Sequence, residues 1–279
     1  MFTILYGISA ALAWGASDFT GGVISRRLSP VRATLFMEAF SLFPVLLAAI
    51  LIPQPLLNWS DWIWCAAGGA IGSLGLLLLF RAFAAGQMSV AAPVSALMAA
   101  CLPVLVGSFR EGLPSLATAF GFILALVAIW LVSRSDAHQK PAHLHLQDLF
   151  LPLVSGIGFG CYFIFMNQGS QESLIWPMVA SRLGGTLVLL MVILQQREPL
   201  IPPRPVWGIV SLNALLDSGG SFFYILAGRF GRMDVAAVLG SLYSGVTVLL
   251  AWLILREKIN RVQLVGVLCA MLAIVLMTN

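Results

Sequence analysis

"FRAFAAGQMSVAAPVSAL" (80–97) and "ILAGRFGRMDVAAVLGSL" (225–242) are one pattern written twice, 145 residues apart. Seven of the eighteen positions are identical: Ala82/Ala227, Gly86/Gly231, Met88/Met233, Val90/Val235, Ala91/Ala236, Ala92/Ala237 and Leu97/Leu242. The same offset pairs Trp62 with Trp207 and Gly15 with Gly160. It also pairs Gly121, Ala125, Ala128 and Ile129 with Gly266, Ala270, Ala273 and Ile274. Glu111 and Glu257 correspond after a one-residue insertion. The chain is an internal duplication, and its fold follows from what each copy contains.

Each copy is too greasy for water. Of 279 residues, 60% are hydrophobic and 9% charged, with a mean hydropathy of +0.98. A soluble domain carries about 25% charged residues, so this composition predicts an all-α integral membrane protein whose first partner is the lipid bilayer. The net charge of +4 does not point to nucleic acid, because basic residues in multispan proteins mark loop orientation. A membrane helix needs about 20 apolar residues. Ten such runs occur, at about 2–24, 30–52, 61–82, 88–109, 115–133, 147–168, 174–195, 205–226, 234–255 and 261–278. Continuous runs of this length exclude a β-barrel, whose strands alternate over about ten residues. The first run lacks a basic leader and exceeds signal-peptide length, so it reads as a span. Cys65, Cys101, Cys161 and Cys269 all lie inside apolar runs without metal or disulfide spacing, and read as buried thiols.

The one plausible linker is "RSDAHQKPAHLHL" (134–146), which divides the chain into repeats over 1–133 and 147–279. Five crossings is an odd number, so the second copy starts on the opposite side of the membrane. The expected architecture is therefore ten transmembrane helices in two inverted five-helix repeats. Such repeats typify secondary transporters, with the substrate site near the midplane between them. Together with the "WGxSDF" pattern at 14–19 and the Glu closing the fourth and ninth spans, the whole chain resembles an EamA-type member of the drug/metabolite transporter superfamily. The resemblance implies a multi-pass carrier of small metabolites or drugs in the cell membrane, commonly an exporter. It also implies cytoplasmic termini. Loop charge predicts the reverse: eleven Lys/Arg follow odd-numbered spans and three follow even-numbered ones, which places both termini outside.

Four ionisable residues sit within spans: Asp18, Glu38, Arg182 and Asp217. They lie roughly 8, 5, 4 and 2 Å from their span centres at the helical rise. Each costs about 2.5–3.5 kcal/mol facing lipid, so such residues face a cavity, pair with each other, or do both. Aligning "SPVRATLFME" (29–38) with "SLIWPMVASR" (173–182) makes Glu38 and Arg182 pseudo-equivalent. Either they meet across the midplane, or each serves one face of the carrier in turn. In the eighth run Asn213, Asp217, Gly220 and Tyr224 form one helical stripe, mapping onto Gly68, Gly72, Gly75 and Leu79 of the third. The glycines serve close helix packing or, with the polar stripe, an asymmetric central cleft. Trp14, one turn from Asp18, is placed to form an aromatic wall with Tyr162, Tyr224 and Tyr243, a surface that suits cations and stacking ligands. Pro93 and Pro103 are expected to interrupt the fourth span. His138, His143 and His145 read as a solvated loop rather than a metal site, since no fourth ligand accompanies them.

The pathway candidates are thus Trp14, Asp18, Glu38, Arg182, Asn213, Asp217 and Tyr224. No cofactor or metal is expected. The rival class is an intramembrane enzyme using Asp18 and Asp217 as a proton-sharing dyad, but "GASDF" and "LLDSGG" do not match GxGD. The chain also lacks GxSxG, HExxH and GxxxxGK[ST]. Without a phosphate-binding loop, transport is driven by a gradient or is passive. Three membrane carboxylates against one arginine make proton coupling the expected form, with Asp18 as a coupling or cation-contacting group.

Overall fold

The computed structural model describes residues 2–111, 116–132, 146–201, 203–231, 233–256 and 261–276. Among them there is no strand. The helices are α1 (Phe2–Ser25), α2 (Pro30–Leu51), α3 (Trp59–Ala84), α4 (Met88–Glu111), α5 (Leu116–Val132), α6 (Leu146–Gly169), α7 (Trp176–Gln196), α8 (Trp207–Phe230), α9 (Met233–Ser241), α10 (Tyr243–Leu250) and α11 (Arg261–Leu276). A 3₁₀ turn, Arg204–Val206, leads into α8, and a π-helical turn, Ala251–Leu255, extends α10.

Local chemistry sets the helix ends. Pro30 occupies the first turn of α2, where its missing N–H costs nothing, and Ser29 Oγ accepts from Arg32 N. The Asn58 side chain caps α3 by accepting from Asp61 N at 2.9 Å. Left-handed residues stop the chain after α7 at Arg197 (φ 55°) and after the π turn at Arg256 (φ 54°).

Seven stretches are long and apolar enough to cross a membrane: α2, α3, Val90–Gly107, Leu149–Gly169, α7, Arg204–Phe230 and Met233–Leu255. The other three expected spans fall short by different routes. Asp18, Thr20 and three serines dilute α1, while α5 and α11 have 17 and 16 residues and border residues outside the described set. Large apolar side chains cover the outer surface, among them Leu12, Phe43, Phe120 and Trp252, each more than half exposed. An apolar exterior on this scale fits lipid rather than water. The linker reading at 134–145, with His138, His143 and His145, and the Glu257 correspondence lie outside the described residues.

One expectation is reversed. The fourth span is not interrupted by Pro93 or Pro103: α4 is a single helix from Met88 to Glu111. Neighbouring helices re-satisfy backbone groups that proline frees inside a membrane bundle. The break falls in the duplicate of α4, between α9 and α10 at Leu242, where no proline occurs.

The two segments interlock rather than sit side by side. The main packing partners are α1 with α8, α3 with α6 and α7, α2 with α7, α4 with α6, and α5 with α11. Helices α2 and α7 run antiparallel and are tied at both ends. At one end the Ser29 hydroxyl donates to the Glu198 carboxylate, and Arg32 Nη2 donates to the Ile201 carbonyl at 3.1 Å. At the other, Gln54 Oε1 accepts from Ser173 Oγ and from the N–H groups of Leu174 and Ile175, at 3.2, 2.9 and 3.1 Å. That one amide oxygen satisfies the donors of the turn leading into α7, a helix with no side-chain cap of its own. Between these ties the two helices frame a cavity.

Candidate functional site

The cavity is walled by α1, α2 and α3 from the first segment and by α6, α7, α8 and α10 from the second. Its volume is about 70 Å³, below the roughly 300–1,000 Å³ of drug-sized sites. Five of the seven residues selected from the sequence line it: Trp14, Asp18, Glu38, Arg182 and Asp217.

Arg182 organises the charges. Its Nη1 donates to Glu38 Oε2 at 3.0 Å, and its Nη2 lies 2.6 Å from Asp217 Oδ2. Nη2 also donates to Ser221 Oγ at 3.0 Å. The second oxygen of Glu38 accepts from Ser73 Oγ at 2.7 Å, and the Trp14 indole N–H donates to Asp217. A guanidinium presents planar donors in a fixed fork, so one arginine on α7 can hold a carboxylate from α2 and another from α8 at once. The arrangement answers the choice the sequence left open: Glu38 and Arg182 meet. Arg182 Nε, also buried, has no hydrogen-bond partner among the described residues.

Asp18 stands apart. It is 7% exposed, lines the same cavity and feels the charge of Asp217, yet it has no ion-pair partner among the described residues. Rings surround it. Trp14 packs on Tyr162 (6.5 Å between centroids, edge-on) and on Phe163 (5.6 Å). Phe159 meets Tyr243 edge-on at 6.3 Å. The broken ninth span supplies Tyr243: the turn at Leu242 starts α10 there, and the phenol hydrogen-bonds Ser95 Oγ of α4 at 3.0 Å. Gly72, in the duplicate position of Asp217, also borders the cavity, whereas Gly68 and Gly75 pack on Phe165 and Ser155 of α6. The third-span glycines therefore divide between cleft and packing.

Two selected residues sit behind the wall. Asn213 is fully buried, and its amide donates to the Ser17 carbonyl at 2.5 Å and Thr20 Oγ1 at 2.8 Å, joining α8 to α1. Tyr224 donates to the Phe163 carbonyl at 2.9 Å and stacks on that ring at 4.8 Å. Further residues line the cavity outside that stripe, among them Ser73, Ser181, Ser221 and Phe159. Ser221 lies four residues after Asp217, so helical spacing would have found it. Nothing in the sequence distinguishes Ser73 from an ordinary helix serine.

The sequence profile of the EamA-like transporter family matches residues 1–134 and 147–279. The chain belongs to that family. Membership makes it a multi-pass membrane transporter of the drug/metabolite transporter superfamily and places it among transporters rather than enzymes. The uncharacterized protein MJ1333.1 of Methanocaldococcus jannaschii is 20% identical over 130 residues, 47% of this chain and 95% of that protein; that relative has the length of a single segment. A crystal structure of a protein 17% identical in sequence superposes over 99% of this chain and 96% of that one, with a TM-score of 0.64. The two share a fold.

Proposed function

We propose that this EamA-like transporter is a secondary carrier in the cell membrane that exports a small metabolite or drug by alternating access. In this reading it has ten spans in two inverted repeats, α1–α5 and α6–α11, with α9, α10 and the π turn forming one broken span. The observation that carries it is the cavity: three carboxylates and one arginine, drawn from four helices of both segments, converge inside a membrane bundle. Charges there are costly and mark substrate or ion pathways. The antiparallel α2–α7 pair and the two-segment family match support the inverted repeat. Asp18, lacking a cation, takes up either a proton or the cationic part of a substrate, while Arg182 holds Glu38 and Asp217 and joins the halves. With no phosphate-binding loop in the chain, a gradient supplies the work.

The enzyme reading needs Asp18 and Asp217 to share a proton as a dyad. Asp217 is instead paired with Arg182 at 2.6 Å, which leaves it a poor partner for that chemistry.

The test is flux. Purified protein in proteoliposomes loaded with amino acids, nucleosides, sugars and organic amines should release at least one solute faster than protein-free vesicles. Mass spectrometry of the external medium reads this out. Chemical conversion of a solute in detergent, with no release from vesicles, would replace the carrier with an enzyme.

A further inference from the structure

We infer that the carried molecule is an organic cation, a single ammonium on an aromatic or bulky apolar body, with the ammonium at Asp18. The inference rests on the carrier reading and deepens it.

Charge decides the sign of the ligand. With all four groups ionised, the cavity holds three negative charges against one positive. An anion entering it would meet Asp18 unshielded, and the only cation lining it among the described residues, Arg182, is already held by two carboxylates. A cation meets the opposite: a carboxylate at 7% exposure with no partner among the described residues. Asp217 is close enough for the two charges to interact. An ammonium has three N–H donors, so it can bond Asp18 while lying within the field of Asp217.

The walls decide the class of cation. A small inorganic ion needs six or more oxygens at close range. Among the described residues no three His, Cys, Asp or Glu side chains are grouped to hold a metal. Five rings line the same cavity as Asp18: Trp14, Phe159, Tyr162, Phe163 and Tyr243. Aromatic faces attract a cation within about 6 Å and stack on an aromatic ligand body.

The duplication shows how this polarity arose within the fold. At the 145-residue offset Trp14 corresponds to Phe159, Asp18 to Phe163, and Asp217 to Gly72, and all six line the cavity. Each pair has a ring or glycine in one copy where the other carries a carboxylate or indole. The cavity therefore has an acidic side, from α1 and α8, and an apolar side, from α6 and α3. A molecule with a charged head and a ring body matches that division.

Titration calorimetry on the purified full chain tests this with three probes of one shape: 2-phenylethylammonium, 2-phenylethanol and phenylacetate. The ammonium should bind, and the alcohol and the acid should bind at least tenfold more weakly or not at all. Asp18→Asn should weaken the ammonium by roughly 10- to 100-fold, the range for a hydrogen bond to a charged group. Asp18→Glu, which keeps the charge, should retain binding. Unliganded melting temperatures confirm that both variants fold. Phenylacetate or phenylethanol binding as well as the ammonium, or unchanged ammonium affinity in a folded Asp18→Asn, overturns the cation assignment. The vesicle experiment separates the two readings: release of anionic or neutral solutes alone sinks the cation site and leaves the carrier. Ammonium binding without release of any solute keeps the site and sinks the carrier.

Discussion

Arg182 and Glu38 lie 144 residues apart in the chain and 3.0 Å apart in the fold. They come from duplicate positions of the two segments, and one copy carries the acid where the other carries the base. The same guanidinium reaches Asp217 at 2.6 Å, so α2, α7 and α8 are held at a single side chain.

Removing that side chain leaves two carboxylates facing a cavity without a cation. Breaking a buried pair from one side costs about 3–5 kcal/mol, so Arg182→Leu should lower the melting temperature more than either Glu38→Gln or Asp217→Ala. In each of the latter the arginine keeps one carboxylate. The triple variant Arg182→Leu/Glu38→Gln/Asp217→Asn should recover most of the loss. Thermal unfolding in one detergent compares the set. A single Arg182→Leu as stable as Asp217→Ala would mean the fork contributes nothing to the fold.

How far the site was legible follows from these same residues. Glu38, Arg182, Asp18 and Asp217 were visible because a charge inside an apolar run has few innocent explanations. Their pairing was not, since it depends on helix rotation and on the depth at which two antiparallel spans meet. Asn213 and Tyr224 share a helical stripe with Asp217 but lie behind the cavity wall: the stripe curves along α8 from the cavity onto α1 and α6, and period alone does not say where a wall ends. The helix boundaries followed from hydropathy, while the break at Leu242 did not. Proline at 93 and 103 drew attention to the wrong copy, because a proline's freed carbonyl can be satisfied by neighbours and a break can form without one.

Asn213 offers a test of the difference between wall and support. Asn213→Leu removes two hydrogen bonds from α8 to α1, while the Thr20 hydroxyl and the Ser17 carbonyl keep their bond to each other. Stability should fall by about 1–3 kcal/mol, with release per folded molecule from vesicles unchanged. A stable variant with lost release would move Asn213 into the pathway.

Orientation is open to direct measurement. With eleven Lys/Arg on one set of loops and three on the other, reporters fused after Asn279 should signal an external C-terminus. An alkaline phosphatase fusion should be active and a fluorescent-protein fusion dark. The opposite pair of signals reverses the sidedness of the carrier and leaves its fold as it is.

The closest approach of the two segments gives the sharpest packing test. At Gly184 on α7, an added Cβ would sit 2.9 Å from Ala66 Cα and closer still to its carbonyl oxygen. At Gly69 on α3, an added Cβ would sit 2.6 Å from Ser181 Cα. These are backbone atoms, so no rotamer change can relieve the contact, and the helices would have to separate. Ala39 on α2 serves as the control, because it already carries a methyl group and is only half-buried. Gly184→Ala should therefore destabilise by about 1–3 kcal/mol, the cost of overpacking, even though alanine is the better helix former. Ala39→Gly should cost only the propensity difference, about 1 kcal/mol. Melting temperatures of the two variants against the parent decide it. If Gly184→Ala melts at or above the parent temperature, α3 and α7 are not in backbone contact, and the cavity they border is wider than described.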